Sequence, residues 1–227
     1  MKIAIIGAMK SEIEFLLSKL ENKQTKIINN FTFFLGTIEK IEIILVNSGI
    51  GKVMSGILIA TLVNNFSIDK VINVGVAGGR ENLNIADIVV GEACLFGDVD
   101  LTSIDDVPYG QMANFPLLFP ADPHLLEIAK QLKPNFGIIL TADKFVVDEV
   151  EAENLINKHF KNFNVLSYDM ESAAFAQACY FFNIPFIAIR AISDIVGSKE
   201  QGDSYYQNLE KAVFASNDFI LNLIKKL

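Results

Sequence analysis

Histidine and arginine are scarce in this chain of 227 residues, which contains two of each. The histidines, His124 and His159, stand on polar segments far apart in sequence. This placement argues against a histidine-based catalytic triad and against a zinc site. Proton-transfer chemistry in this chain is therefore expected to depend on carboxylates.

Cysteine is equally rare, and flexible linkers are missing. Cys94 and Cys179 lie in apolar sequence and are predicted to be small core residues. No Pro/Gly/Ser-rich linker, low-complexity tract or internal repeat divides the chain. Apolar residues make up 51% of it, which is enough for one sizeable core. We therefore expect a single domain over residues 1–227.

Clustered basic residues and long apolar runs are also lacking. The net charge is −8, and Lys and Arg are dispersed, which argues against nucleic-acid binding. The apolar runs are well short of the roughly 20 residues that cross a membrane. Met1-Lys2 leads directly into an apolar strand, without the pattern of a secretory signal. We expect a cytoplasmic protein that binds small molecules.

Strand patterns and helix patterns alternate along the chain. Apolar runs predict strands at 2–8, 31–36, 41–46, 70–76, 87–93, 136–140, 164–168 and 185–192. Helical spacing predicts helices at 11–20, 53–63, 122–132, 149–159, 171–182 and 206–226. Ser11 and Glu14 match a capping box at the start of the first helix. The alternation indicates an α/β fold with a central mixed twisted sheet flanked by helices.

The segment from Ile184 to Asp194, I-P-F-I-A-I-R-A-I-S-D, is the most informative part of the sequence. Arg190 lies inside this apolar strand pattern, where a guanidinium requires a carboxylate or a similar partner. Asp194 stands where the strand ends, and ligands of open α/β sheets bind at such ends. The segment therefore indicates an enzyme or a binder of small molecules.

Two further carboxylates stand at similar junctions. Glu12 follows the first strand, and Glu171 follows Tyr168-Asp169-Met170 at the start of an Ala-rich helix. Taken singly, each could simply stabilise a helix dipole, and Asp194 could be a loop residue or an N-cap. Together with Arg190, they are predicted to occupy the same edge of the sheet.

Five motifs give the chain a specific resemblance. They are I-I-G-A-M-x-x-E, S-G-I-G-K-V, N-x-G-x-A-G-G, D-M-E-S-A-A and R-A-I-S-D. In combination they resemble the bacterial 5′-methylthioadenosine/S-adenosylhomocysteine nucleosidases of the purine nucleoside phosphorylase superfamily. The resemblance extends from Met1 to the last helix.

The resemblance implies a nucleoside phosphorylase-like fold and a homodimer that needs no metal or organic cofactor. The implied activity is hydrolysis of the N-glycosidic bond of 5′-methylthioadenosine and S-adenosylhomocysteine, with 5′-deoxyadenosine as a further candidate substrate. The products are adenine and the substituted ribose, and the implied pathway is methionine salvage. An apolar stretch at 115–120 also suggests an interface between subunits.

The family implies roles for matching positions. Asp194 would protonate adenine N7, Glu12 would activate the attacking water, and Arg190 would lie beside that water. Glu171 would bind the ribose hydroxyls. The other substrate-binding positions are Ser193 beside Asp194, Met170 on the sugar, Phe145 and Val146 at adenine, Val76 near the water, and Met9, Ile50 and Tyr205 at the ribose and alkylthio end.

The sequence departs from the family pattern at several positions. Val76 replaces a usual Ser, Asp169 replaces a usual Glu, and Tyr205 replaces a usual Phe. The loop at 97–110 is one residue longer and lacks a usual His-Asp pair. The preferred 5′-substituent is therefore left open by the sequence.

Two alternatives to a hydrolase remain open. A phosphorylase would share the fold and use phosphate in place of water, although Arg190 is the one credible cation and Glu12 would repel an anion. A non-catalytic nucleoside-binding relative would need no general acid. Retention of Glu12, Glu171 and Asp194 together favours an enzyme.

Overall fold

The computed structural model describes residues 1–104, 106–199 and 201–227. The strands in these residues are β1 Lys2–Gly7, β2 Glu21–Ile28, β3 Phe31–Ile38, β4 Ile41–Asn47, β5 Lys70–Gly79, β6 Ile88–Phe96, β7 Phe119–Pro120, β8 Asn135–Thr141, β9 Val165–Asp169 and β10 Phe186–Ile195. The helices are α1 Ser11–Lys19, α2 Lys52–Asn65, α3 Pro123–Lys130, α4 Glu149–Leu155, α5 Ser172–Phe181 and α6 Gln201–Ile224. A π-helical turn, Ile156–Phe160, continues α4.

The strands form one mixed sheet, as the sequence predicted. The order β10-β6-β8-β9-β5 closes on itself, because β10 also pairs in parallel with β5. From β5 the sheet continues outward as β1-β4-β3-β2, and β7 pairs with β6. The five-strand ring therefore shares β5 with an open, four-strand extension.

Helices cover the sheet and bury its apolar side chains. One core cluster includes Leu58 of α2 and Phe175 of α5, and another includes Leu16 of α1, Leu125 of α3 and Leu223 of α6. Strand β10 is buried along all but its last residue, which explains its continuous apolar sequence. The predicted α/β fold with flanking helices is confirmed. The two cysteines are buried, as expected.

Most predicted elements are present with modest shifts at their ends. Glu39 and Lys40 form the hairpin turn between the predicted strands at 31–36 and 41–46, with φ of 50° and 67°. Asp122, the first residue of the helix predicted at 122–132, is the N-cap of α3, and its side chain accepts a hydrogen bond from the Leu125 amide at 3.0 Å. Helix α6 begins at Gln201, five residues before its expected start.

Two local predictions were wrong. Strand β2 was missed because it is a sheet edge whose residues, apart from Ile28, are exposed, so its sequence has no apolar alternation. The capping box at Ser11 and Glu14 is not formed. The residue before the helix, Lys10, already has helical dihedrals, so Ser11 lies inside the first turn and cannot act as the N-cap.

Among the described residues, no helix combines the length and the apolar character needed to cross a membrane.

Candidate active site

A cavity of about 400 Å³ opens where β1, β5 and β10 end. These strands are parallel, so the residues that follow them meet at one edge of the sheet. Asp194 pairs in register with Gly78, and Glu12 lies in the first turn of the helix after β1. The topology therefore assembles residues that are distant in sequence.

Every residue predicted for the site, except Arg190, lines this cavity. They are Met9, Glu12, Ile50, Val76, Phe145, Val146, Met170, Glu171, Ser193, Asp194 and Tyr205. The cavity is also lined by Ala8, Ala77, Gly78, Lys144, Tyr168, Asp169, Gly202 and Tyr206. The lining residues have been located, whereas their catalytic roles stay predictions.

Glu12 is a buried carboxylate held by backbone amides. Its Oε2 accepts hydrogen bonds from the amides of Ala8 and Met9 at 2.7 and 2.8 Å, and its Oε1 accepts one from Val76 at 3.1 Å. Burial raises the pKa of Glu12, while these amides and the charge of Arg190 act in the opposite direction. The amides thus fix the carboxylate in place, and together with Arg190 they partly offset the rise in its pKa.

Glycines make room for this carboxylate. A Cβ on Gly75 would lie 2.7 Å from Glu12 Oε1, and a Cβ on Gly7 would lie 2.9 Å from the Glu12 Cβ. Real Cβ atoms do not approach that closely, so Glu12 could not keep its position beside larger residues. The glycines at the ends of β1 and in β5 therefore serve the site as well as the backbone.

Arg190 lies behind the cavity rather than in its lining. Its Nε donates to Asp169 at 3.0 Å, its Nη1 donates to the carbonyls of Asn73 and Ile189, and its Nη2 donates to Asn73 Oδ1 and to Ser172 Oγ. All five donors are therefore engaged. Its side chain is 2% exposed.

The Arg190 side chain does not line the cavity, and its predicted place beside the attacking water stays a prediction. A guanidinium inside a buried strand must satisfy its donors within the protein, and Asp169 supplies the carboxylate partner that the sequence required. Arg190 influences Glu12 and Glu171 through its charge, which partly offsets the rise that burial causes in the pKa of both.

Asp194, near the end of β10, is fully buried. Its Oδ1 accepts a hydrogen bond from the Ser193 hydroxyl at 2.7 Å, and its Oδ2 accepts one from Gln201 Nε2 at 2.7 Å. Burial raises the pKa of Asp194, and the two hydrogen bonds partly offset this rise. Environments of this kind favour a protonated carboxylic acid.

Glu171 connects the end of β9 to the loop before α2. Its Oε1 accepts a hydrogen bond from the amide of Gly51 at 2.8 Å. Burial, followed by the negative charge of Asp169, raises the pKa of Glu171 to about 7. Gly51 has a φ of 96°, which a residue with a side chain rarely adopts, so the loop depends on glycine here.

A charged network ties two loops of the cavity together. Lys52 Nζ pairs with Asp98 at 2.7 Å, and the Lys52 amide donates to Asp143 Oδ1 at 2.9 Å. The Asp143 amide in turn donates to Asp98 Oδ2 at 2.9 Å. These contacts join the segment that carries Ile50 to the segment that carries Phe145, and both residues line the cavity.

Aromatic side chains surround the mouth of the cavity. Phe145 and Tyr205 meet edge to face, with ring centroids 5.6 Å apart, and Phe145 is 45% exposed. The Tyr205 hydroxyl lies 3.7 Å from Met9 Sδ. Both rings present apolar faces at the opening, which suits a flat heterocycle.

Three residues around the site were missed or undervalued in the sequence. Asp169 was noted in the sequence only as a departure from the family pattern, yet the need of Arg190 for a carboxylate could have identified it. Asn73, buried in β5, accepts from Arg190 and donates to the Ile6 carbonyl at 2.9 Å. Gln201 lies in a polar stretch that carries no recognisable signal.

Comparisons with known proteins agree with the motifs. The family model of the phosphorylase superfamily matches residues 2–225. The 5′-methylthioadenosine/S-adenosylhomocysteine nucleosidase of Bacillus licheniformis is 40% identical over 235 residues, covering 100% of both chains.

Solved structures give the same result. The S-adenosylhomocysteine nucleosidase of Streptococcus pyogenes, in complex with 5-methylthiotubericidin, has a TM-score of 0.94 and 35% identity, covering 100% of this chain and 97% of the other. The nucleosidase of S. pneumoniae with a transition-state inhibitor has a TM-score of 0.93 and 36% identity, covering 100% and 99%. The resemblance found in the motifs is confirmed, and the chain belongs to the 5′-methylthioadenosine/S-adenosylhomocysteine nucleosidases of the phosphorylase superfamily.

Proposed function

We propose that this protein is an N-glycosyl hydrolase that cleaves 5′-methylthioadenosine and S-adenosylhomocysteine to adenine and the thio-substituted ribose. The observation that carries the proposal is the pairing, in one cavity, of two buried carboxylates with different partners. Glu12 accepts three amide hydrogen bonds, and Asp194 accepts one hydroxyl and one carboxamide.

Asp194 is the proposed general acid. Adenine leaves poorly as an anion, so a proton must reach N7 as the glycosidic bond breaks. The buried position of Asp194 raises its pKa and so favours the protonated form that a general acid requires. Ser193 orients the carboxyl group through its hydroxyl.

Glu12 is the proposed base. Its carboxylate holds a water molecule against the anomeric carbon and takes up a proton as the water oxygen forms the new bond. The electron pair of the broken C–N bond passes to adenine, which receives its proton from Asp194. One proton is lost and one is gained by the enzyme, so the step is balanced and water is the sole co-reactant.

The sugar becomes positively charged in character as its bond to adenine breaks. Glu12 and Glu171 are placed to stabilise this charge, and Glu171 also accepts hydrogen bonds from the ribose hydroxyls in the proposal. Arg190 acts from behind, because its charge keeps Glu12 more readily ionised.

The remaining lining residues bind the substrate. Phe145 stacks on adenine, the Val146 backbone contacts the adenine edge, and Met170 packs on the sugar. Met9, Ile50 and Tyr205 receive the ribose and the 5′-substituent, and Val76 lies beside the water through the amide that it donates to Glu12.

Phosphate is a poor substitute for water in this cavity. Every N–H of Arg190 is engaged within the protein, and Lys144, the one cation among the described lining residues, pairs with Glu151 at 2.6 Å. An anion next to Glu12 would meet a repulsion of about 4 kcal/mol per unit pair at about 4 Å and an effective dielectric near 20. This favours hydrolysis over phosphorolysis.

Product analysis tests the proposal. The protein is incubated with 5′-methylthioadenosine, S-adenosylhomocysteine, 5′-deoxyadenosine and 6-amino-6-deoxyfutalosine, with and without phosphate. The expected product is free 5-methylthioribose under both conditions. Formation of 5-methylthioribose-1-phosphate, and only with added phosphate, would assign a phosphorylase instead. Tight adenine binding without turnover would assign a non-catalytic relative.

The single domain over residues 1–227 and the homodimer are also part of the proposal. Ile50, in the loop before α2, and Val53 and Ile57 of α2 are exposed apolar residues, at 57%, 71% and 47% exposure, and Ile50 also lines the cavity. In the stretch at 115–120, by contrast, Phe119 is buried within its own chain. A fully active monomer in sedimentation at micromolar concentration would refute the dimer. The cytoplasmic location and the link to methionine salvage stay predictions.

A further inference from the structure

Gln201, the first residue of α6, inserts its side chain between two lining residues of the cavity. Its Nε2 donates to Asp194 Oδ2 at 2.7 Å and to the Val146 carbonyl at 2.8 Å. Its Oε1 accepts a hydrogen bond from the Gly197 amide at 2.9 Å. The carboxamide is buried and fully bonded, although it belongs to an otherwise polar and exposed segment.

One NH2 group thus satisfies two acceptors that belong to the cavity. This means that Asp194 Oδ2 and the Val146 carbonyl are spaced to bind a single amino group. Adenine carries such a group, N6, directly beside N7 on one edge of the base. A carboxamide likewise carries an NH2 donor directly beside an acceptor oxygen. The Gln201 NH2 group therefore makes the two hydrogen bonds that the N6 amino group of adenine could make, while its oxygen accepts from the Gly197 amide.

The Gln201 carboxamide and the N6/N7 edge of adenine cannot occupy this position at the same time. If Asp194 delivers a proton to N7, its carboxyl oxygen must face the edge of adenine that carries N6, where the Gln201 amide now lies. The hydrogen bond from the Gln201 amide also stabilises the ionised form of Asp194 relative to the protonated form. The ionised form has no proton to donate. Catalysis at Asp194 therefore requires Gln201 to leave.

We propose that Gln201 is an internal plug whose carboxamide occupies the place of the adenine amino group and is displaced when the nucleoside binds. The inference rests on the proposed function, since it takes Asp194 as the acid at N7. It makes Gln201 a determinant of apparent affinity, because each binding event must first break the contacts of its side chain.

The start of α6 is built so that this displacement disturbs little of the core. After Gln201, residues 202–211 of α6 are half-buried or exposed, and burial resumes at Ala212. Gly202 follows directly, and a Cβ there would meet no atom within 4 Å. The first turns of the helix are thus anchored in the interior through the Gln201 side chain.

The test compares wild-type protein with Gln201→Met, which has a similar length but no donor, and with Gln201→Ala. Adenine binding is measured by calorimetry, and kcat/KM is measured with 5′-methylthioadenosine. If the plug is engaged in about nine molecules out of ten, its removal tightens adenine binding about tenfold. We expect KM to fall and kcat/KM to rise by the same factor. Gln207→Met, at an exposed position of the same helix, is the matched control.

Weaker or unchanged adenine binding in folded Gln201→Met and Gln201→Ala would overturn the plug. A fall in kcat/KM would overturn it as well and would make Gln201 a residue that positions Asp194. Should Gln201→Met lose its fold by circular dichroism, Gln201→Ala decides the result, and loss of the fold in both would show a purely structural role. Failure of the proposed function is seen separately, as absence of turnover in wild-type protein.

Discussion

Glu12 and Asp194 occupy the same cavity and are both buried, yet they have different surroundings. Glu12 is bonded by three backbone amides and lies in the field of Arg190. Asp194 is bonded by a side-chain hydroxyl and a side-chain carboxamide. Burial raises the pKa of both; three backbone amides and the charge of Arg190 oppose the rise at Glu12, whereas Ser193 and Gln201 oppose it at Asp194.

Glu12 and Asp194 differ in whether the groups that donate hydrogen bonds to them can move. The backbone amides after β1 and in β5 are fixed by the sheet, so Glu12 keeps the donors that oppose the rise in its pKa. A hydroxyl can rotate, and the Gln201 side chain can withdraw, so Asp194 can accept a proton. Two carboxyl groups with diverging environments are what acid–base catalysis requires.

The largest effect is expected from Asp194→Asn. An amide of nearly the same shape cannot protonate N7, so kcat should fall by about 10³-fold or more. Steady-state kinetics and circular dichroism measure the loss and the retained fold, and Asp203→Asn, exposed on α6, serves as the control. Near-normal turnover in a folded variant would remove Asp194 from the acid role.

Glu12→Gln should reduce kcat by about 10²–10³-fold, because a neutral amide cannot take a proton from water. Its NH2 group would also face the amides of Ala8 and Met9, which donate to the carboxylate in wild-type protein. The neighbouring Glu14→Gln, on the exposed face of α1, should keep full activity. Equal rates for the two variants would contradict the assignment of Glu12 as the base.

Glu171→Gln should alter how stability depends on pH. The pKa of Glu171 is raised from 4.5 to about 7, so between these values the folded protein binds a proton that the unfolded chain does not. The wild-type free energy of unfolding should therefore fall as the pH rises through this window, by up to about 3 kcal/mol from this group.

Urea unfolding of both proteins at pH 5 and pH 8 measures the effect. The difference in unfolding free energy, variant minus wild type, should grow with pH, because the substituted amide does not titrate and groups common to both proteins cancel. Glu210→Gln, at an exposed position, should give a difference that is independent of pH. A constant difference for Glu171→Gln would show that Glu171 titrates normally.

Val76→Ser should have the smallest effect. Val76 is half-buried and bonds Glu12 through its backbone, so the substitution leaves that hydrogen bond in place and adds a hydroxyl near the proposed water. We expect a modest rise in kcat, within about threefold, and a change in stability within about 1 kcal/mol. Val76→Ala, which removes volume without adding a hydroxyl, separates the two contributions. Severe destabilisation would show that Val76 is required for core packing.

The elements that could be predicted are those whose burial imposes a pattern. Strand β10 is buried almost throughout and appears in sequence as an unbroken apolar run. Edge strand β2 is exposed and polar, so its pairing with β3 could not be read from residues alone. The start of α6 was also misplaced, because its first turns contribute little to the core beyond Gln201.

The sequence by itself determined the class of fold, the family and the identity of the carboxylates Glu12, Glu171 and Asp194, because motifs and apolar periodicity are local properties of the chain. Only the tertiary structure decided that Arg190 faces Asp169 instead of the cavity, and that Gln201 binds Asp194 and Val146. These contacts join residues brought together by the closure of β5 and β10 and by the return of α6. Hydrogen-bond partners depend on which residues the tertiary structure brings together, and a local sequence pattern does not contain that information.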